Sequence, residues 1–126
     1  MARRRISILA STAVAFGALA VAPGVQADAA IGCGSGMVCI YPQTNYNGTP
    51  YVRRASDGSV NLADTVINDR TFSVRNNSSD AARIYRSHKY DGSHTCIQPG
   101  GSIGDLRSYS VGQWGSSMTI KDDSCG

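Results

Sequence analysis

Short runs of alternating apolar and polar residues, separated by turns rich in Gly, Pro and Asn, cover the chain from Met37 onwards. No long stretch shows the three-to-four-residue apolar spacing of an amphipathic helix. Short runs separated by such turns are typical of a sandwich or barrel of antiparallel strands. We predict strands at residues 37–41, 51–54, 60–62, 71–75, 82–85, 95–98 and 117–121.

The pattern occurs twice, with an offset of 44 positions. The identical pairs are Ile40 and Ile84, Tyr41 and Tyr85, Tyr46 and Tyr90, Gly48 and Gly92, Leu62 and Leu106, and Ser73 and Ser117. Each copy begins with an aromatic hairpin signal and ends with a serine near its last strand. A fixed period of this length indicates repeated structural units, so the chain is expected to contain two β-rich units with four strands in each, as a Greek key requires.

The first residues are expected to be a targeting segment and not part of the fold. Three arginines at residues 3–5 precede an uncharged apolar or small-residue stretch at 6–22, and Val25-Gln26-Ala27 offers small residues for cleavage. This arrangement is typical of a secretory signal peptide. We therefore assign residues 1–27 to a signal peptide and residues 28–126 to one secreted, extracellular domain.

Removal of the signal changes the charge balance. The whole chain has 12 basic and 9 acidic residues, but three of the basic ones are the arginines of the signal. The mature chain is thus formally neutral, and binding to nucleic acid or anionic membranes, which requires clustered uncompensated Lys and Arg, is not expected.

The four cysteines indicate covalent stabilisation. A domain of this size buries only about two-thirds of its chain surface, and an even cysteine count in a small exported chain indicates disulfides. Three pairings exist, and we favour Cys33 with Cys39 and Cys96 with Cys125. The first closes a short Gly-containing loop, and the second ties the C-terminal tail to a strand of the second unit.

The repeat resembles the βγ-crystallin Greek-key motif, in which an aromatic-x4-aromatic-x-Gly hairpin is followed some 25 residues later by a strand serine. The matching residues are Tyr41, Tyr46, Gly48 and Ser73 in the first repeat, and Tyr85, Tyr90, Gly92 and Ser117 in the second. The resemblance implies an all-β, βγ-crystallin-like sandwich of two Greek keys, at about residues 37–76 and 82–121. In such a motif the serine hydroxyl hydrogen-bonds the folded hairpin.

Among proteins of this fold, the chain most resembles the secreted bacterial metalloproteinase inhibitors of the Streptomyces type. The signal peptide, the single two-motif domain and the early Cys-x5-Cys carry this resemblance. It implies a monomeric inhibitor whose partner is an extracellular protease, specifically a thermolysin-like zinc metalloproteinase. In that family a short disulfide of the second repeat braces the reactive bond. Here Cys96 has no close cysteine neighbour, so we take Thr95, Cys96 and Ile97 as the nearest inhibitory segment.

The resemblance also raises the question of calcium. Many microbial βγ-crystallins bind Ca2+ through an N/D-N/D-x-x-S/T-S loop in each repeat. Residues 68–73 keep Asn68, Asp69 and the final serine, whereas residues 112–117 keep two serines but contain no carboxylate. Calcium prefers six to eight oxygen ligands with carboxylates among them. One composite Ca2+ site formed by Asn68, Asp69 and Ser116 is the alternative to loops that only terminate strands, and no cofactor is required.

No catalytic motif supports an enzyme. The mature chain contains no glutamate, and no metalloprotease, nucleophile-elbow or phosphate-loop motif occurs. His88 and His94 flank the second hairpin, but two ligands are too few for a zinc site. Trp114, the single tryptophan, fits either a core position or an interface anchor.

These observations predict a non-enzymatic peptidase inhibitor. Two alternatives stay open: a calcium-binding extracellular module and a small secreted growth-inhibitory toxin.

Overall fold

The computed structural model of the protein describes residues 32–126, which form one compact unit. The signal peptide expected over residues 1–27 lies outside the described residues. No helix within the described range is long and apolar enough to cross a membrane.

Eight β-strands make up this unit, joined by turns and three short 3-10 segments. The strands are β1 (Met37–Tyr41), β2 (Tyr51–Arg54), β3 (Val60–Asn61), β4 (Ser73–Asn77), β5 (Ala81–Tyr85), β6 (His94–Ile97), β7 (Ser102–Ile103) and β8 (Ser117–Lys121). The 3-10 segments are Thr44–Tyr46, Ala55–Asp57 and Leu106–Ser108. Seven of the strands lie at or within two residues of a predicted one, and β7 was not predicted.

The strands form two antiparallel four-stranded sheets, in the orders β2-β1-β4-β7 and β3-β8-β5-β6. Each sheet therefore contains three strands of one repeat and a two-residue strand from the other. Val60 of β3 pairs with Met118, and Ile103 of β7 pairs with Val74. The exchange ties the two Greek keys into one sandwich, which confirms the all-β, βγ-crystallin-like fold class.

Aliphatic side chains from both sheets and from the loops between them fill the core. Alternation along the strands places Val38 and Ile40 of β1 in it, as it does Ala82 and Ile84 of β5, because successive strand residues face opposite sides of a sheet. The other large buried members are Leu62, Ile67, Val74, Ile97, Leu106, Val111, Met118 and Ile120.

Two disulfides join Cys33 to Cys39 and Cys96 to Cys125, as the sequence predicted. The first lies at the start of β1. The second carries the C-terminal tail across β6, where Arg83 also holds it through an ion pair to Asp123 at 3.1 Å. Both chain ends of the described unit are thus fixed to the sheets.

Each first hairpin of a repeat folds back over its sheet and is held by a serine. The Ser73 hydroxyl accepts a hydrogen bond from the Tyr46 amide at 2.9 Å and donates one to the Gln43 carbonyl at 2.6 Å. Ser117 makes the equivalent bonds with the Tyr90 amide at 3.2 Å and the Ser87 carbonyl at 2.5 Å. We call this pair of contacts the serine clasp.

The hairpin conformation itself is unusual. Tyr46 and Tyr90 have positive φ angles of 63° and 60°, a region that non-glycine residues rarely adopt. Gly48 also has a positive φ of 84°, and a Cβ there would lie 2.9 Å from Cγ of Pro42. The hairpin therefore requires both a glycine at this position and an external contact that holds the tyrosine backbone.

We predict that Ser73→Ala lowers the free energy of unfolding by about 2 kcal/mol, because the Tyr46 amide and the Gln43 carbonyl lose a partner in a partly buried site. Urea denaturation with both disulfides intact measures the change. Ser79→Ala, at an exposed serine, is the matched control and should change it by less than about 0.5 kcal/mol. Equal effects of the two substitutions would contradict the role assigned to the clasp.

Candidate functional site

The loops of both repeats gather at one end of the sandwich. The first hairpins leave the C-terminal ends of β1 and β5, and two longer loops enter the adjacent N-terminal ends of β4 and β8. Backbone hydrogen bonds join these segments, including Asn45 to Gly104 at 2.8 Å and Ser116 to Tyr85 at 2.7 Å. We call residues 42–50, 62–72, 86–93 and 104–116 together the loop end.

The two longer loops obey the same 44-residue offset as the strands. The amides of Thr65, Asn68 and Arg70 donate to carbonyls three residues earlier, and those of Tyr109, Gly112 and Trp114 do the same. Both loops are therefore chains of consecutive turns with the same backbone plan. In this alignment Trp114 takes the place of Arg70.

Thr71 joins the two longer loops through a buried hydroxyl. Its Oγ1 donates to the Gly112 carbonyl at 3.3 Å and accepts from the Gly115 amide at 3.1 Å. The Thr71 amide donates in turn to the Gln113 carbonyl at 3.2 Å. Thr71 was predicted only as part of a strand, because a hydroxyl that bridges two repeats leaves no local pattern in the sequence.

Gly115 allows the close approach of these loops to the core. A Cβ at this position would lie 2.6 Å from Cγ2 of Ile84 and 2.7 Å from Cγ2 of Thr71. Such distances are too short for real side chains, so only glycine fits. The segment that carries Trp114 therefore packs directly against Ile84 and Thr71.

The residues assigned to calcium lie in these same loops. Asp69 has a positive φ of 57°, and its amide donates to the Gly115 carbonyl at 3.1 Å. The Ser116 hydroxyl donates to Oδ1 of Asp69 at 3.4 Å. The side-chain oxygen of Asn68 is buried and has no hydrogen-bond partner. The structure thus brings Asp69 and Ser116 of the two repeats together, whereas Oδ1 of Asn68 bonds to neither.

The inhibitory segment predicted at Thr95, Cys96 and Ile97 lies in a strand. These residues belong to β6 and pair with β5. Thr95 is 7% and Ile97 2% exposed, and Cys96 is held in its disulfide. The Thr95 hydroxyl also accepts from the Val111 amide at 3.1 Å. In the folded protein Thr95 and Ile97 therefore offer no side chain to a protease cleft, although β6 is an edge strand of its sheet.

The hairpin histidines do not form a metal centre. The ring of His94 packs against Tyr85, with centroids 4.8 Å apart, and its Nδ1 lies 3.0 Å from the Gly92 carbonyl. Within residues 32–126, no group of three His, Cys, Asp or Glu side chains is placed to hold a metal ion.

Trp114 lies at the surface of the loop end, with 46% of its side chain exposed. The sequence had left open whether it is a core residue or an interface residue, and the structure excludes full burial. Earlier in the same loop, the Arg107 guanidinium donates hydrogen bonds to both carboxylate oxygens of Asp105 at about 3 Å. This contact lowers the pKa of Asp105 from its usual value.

Two open cavities lie at the opposite end of the sandwich. One, of about 350 Å³, is lined by polar backbone and side chains near Arg75, Asn76 and Gly101. The other, of about 380 Å³, lies between Met37, Arg54 and Asp80. Serines and Asp80 both line the second cavity, but the Ser78 hydroxyl donates to Oδ1 of Asn76 and not to the Asp80 carboxylate. Neither cavity therefore shows the hydrogen-bonded nucleophile and base that catalysis would require.

Comparison with solved structures defines the class of fold. A domain from work on the evolution of the eye-lens βγ-crystallin fold aligns with a TM-score of 0.63 and 22% identity, covering 71% of this chain and 89% of that one. The Ca2+-bound βγ-crystallin domain of Abundant Perithecial Protein from Neurospora crassa aligns with a TM-score of 0.59 and 18% identity, covering 74% and 97%. Spherulin 3a from Physarum polycephalum aligns with a TM-score of 0.56 and 19% identity, covering 75% and 90%. At these identities the likeness concerns the fold alone.

The family follows from a sequence model. The model described as peptidase inhibitor family I36 matches residues 26–97, more than half of the chain, and the chain belongs to this family. No curated protein matches the sequence closely. The protein is a peptidase inhibitor with a βγ-crystallin fold and not an enzyme, and the family implies that its partner is a peptidase.

Proposed function

We propose that this protein is a secreted, monomeric inhibitor of thermolysin-like zinc metalloproteinases. The observation that carries the proposal is the match of residues 26–97 to peptidase inhibitor family I36. The arginine-rich apolar segment before residue 28 and the pairing of all four cysteines in disulfides support export. The metalloproteinase target rests on the resemblance to inhibitors of the Streptomyces type.

The scaffold suits inhibition by binding rather than by chemistry. The exchanged strands and the serine clasp fix the loop end before it meets a partner. A surface that is already ordered loses less conformational entropy on association, so more of the contact energy appears as affinity. Inhibition then requires only that the docked protein block access to the active site of the peptidase.

We predict that the mature chain, residues 28–126 with both disulfides formed, abolishes thermolysin activity at a 1:1 molar ratio. Peptide hydrolysis at fixed enzyme and rising inhibitor concentration measures the stoichiometry. Subtilisin and trypsin, which use a serine nucleophile, are the controls and should keep full activity.

Two outcomes would contradict the proposal. Inhibition of the serine peptidases alone would exclude the metalloproteinase target while leaving an inhibitor. Full activity of all three enzymes at micromolar inhibitor would remove thermolysin-like peptidases as the target.

Calcium binding is a second candidate function, and the buried, unpartnered Asn68 oxygen favours it. A buried polar atom without a partner costs free energy, and a cation beside it would remove that cost. Asp69 offers the carboxylate and Ser116 the hydroxyl. With a single carboxylate the set fits a weak site, in the range of about 10⁻⁴–10⁻³ M that extracellular modules show. The bound ion would tie the two longer loops together.

The third hypothesis, a membrane-active toxin, has no such observation in its favour. The mature chain is formally neutral and so lacks the basic charge that attracts a peptide to anionic lipids.

We predict that millimolar Ca2+ raises the thermal unfolding midpoint and changes the fluorescence of Trp114, the single tryptophan. Asp69→Asn should remove both effects because it removes the carboxylate. Asp64→Asn, at an exposed aspartate of the same loop, is the matched control and should leave them unchanged. Identical responses of the two variants, or no response of the wild type, would contradict the site.

A further inference from the structure

Exposed apolar side chains concentrate at the loop end. Within residues 32–126, five large hydrophobic residues are substantially exposed: Val52, Val66, Tyr90, Tyr109 and Trp114. All but Val52 belong to the loop end. Val66 is the most exposed of them, at 82%. Four exposed apolar side chains in the loops of one end make that end the candidate interaction surface, whereas isolated exposed residues need no explanation.

Hydrogen bonding and glycine packing fix the backbone around Trp114. Its amide donates to the Val111 carbonyl at 3.2 Å, and Val111 is fully buried. On one side, Gly112 adopts a positive φ of 58° with the indole packed against it, because a Cβ there would lie 3.4 Å from Cδ1 of Trp114. On the other side, Gly115 packs directly on Ile84. The side chain is thus exposed although its backbone is fixed.

The loop end carries no net charge. It contains four basic and four acidic residues: Arg70, Arg86, Lys89, Arg107, Asp64, Asp69, Asp91 and Asp105. Two of these, Arg107 and Asp105, neutralise each other in an ion pair at 2.9 Å. A neutral surface with exposed aromatic and aliphatic groups fits an apolar recess on a partner better than a charged one.

The segment closed by the first disulfide presents fewer groups that could contact a partner. The loop closed by the Cys33–Cys39 disulfide contains a tight turn, in which the Met37 amide donates to the Gly34 carbonyl at 3.1 Å. Gly36 has a φ of 81°, and the exposed residues are Gly34 and Ser35. A closed turn with small side chains supplies neither an extended strand nor an anchor.

We propose that the loop end is the surface that docks onto the peptidase, with Trp114 as its anchor in an apolar recess at or beside the active-site cleft. The inference rests on the proposed inhibitory function and names the surface that performs it. Tryptophan is among the residues most enriched at the energetic centres of interfaces, where truncation costs large factors in affinity. Val66 is expected to contribute to the surrounding apolar contact.

Substitution of Trp114 tests the proposal. We expect Trp114→Ala to raise the inhibition constant against thermolysin at least about 30-fold. Trp114→Phe should recover part of that loss because it restores an aromatic ring. A second pair of variants is matched in residue type: Val66→Ala should weaken inhibition by several-fold, whereas Val52→Ala, at the exposed valine of edge strand β2, should leave it within about threefold. Thermal unfolding and near-ultraviolet circular dichroism of each variant check that the fold is retained.

The outcomes separate the two claims. A wild-type chain that inhibits neither thermolysin nor the control peptidases overturns the proposed function, and the docking surface with it. A wild-type chain that inhibits, together with Trp114→Ala and Val66→Ala variants that inhibit as well as Val52→Ala, overturns the docking surface and leaves the function intact.

Discussion

The hydrogen bonds that Ser73 and Ser117 make to the two folded hairpins are the contacts on which the loop end depends. Each hydroxyl bonds both the amide of a tyrosine with positive φ and a carbonyl three residues earlier. The clasp offsets the backbone strain of Tyr46 and Tyr90, which an isolated hairpin would relieve by opening. The longer loops lead directly into β4 and β8, which begin at these two serines. Opening a hairpin would therefore also disturb the longer loops.

A nearly symmetric scaffold supports an asymmetric surface. The loops after β3 and β7 share their turn hydrogen bonds at an offset of 44 residues, yet their side chains differ. Arg70 in the first loop corresponds to Trp114 in the second, and Asp69 corresponds to Gln113. The groups that we propose for a cation therefore come chiefly from one repeat, and the proposed aromatic anchor comes from the other. Duplication accounts for the backbone, and the substitutions in each copy account for the chemistry.

Much of the fold could be predicted from local sequence. The spacing of Tyr41, Gly48 and Ser73 reports a hairpin that folds onto its own sheet, because positive φ and a buried hydroxyl each restrict the residue type. The exchange of β3 and β7 could not be predicted, since two-residue strands carry no periodic signal and their partners are set by tertiary packing.

The site was harder to predict because it depends on distances across repeats. Asn68, Asp69 and Ser116 were found through a motif, whereas the buried bridge made by Thr71 has no local signature. For the inhibitory segment, proximity to Cys96 was given more weight than alternation, which predicts buried side chains at Thr95 and Ile97. Thr95 and Ile97 flank Cys96 at a spacing of two, which is the pattern of a strand with one buried face.

Hydrogen exchange of the mature chain, with and without thermolysin, tests most directly whether the loop end is the inhibitory surface. We expect amides of residues 104–116 and 62–72 to gain protection in the complex, while those of residues 34–37 at the opposite end exchange as before. Protection confined to residues 34–37, with the loop end unchanged, would contradict it.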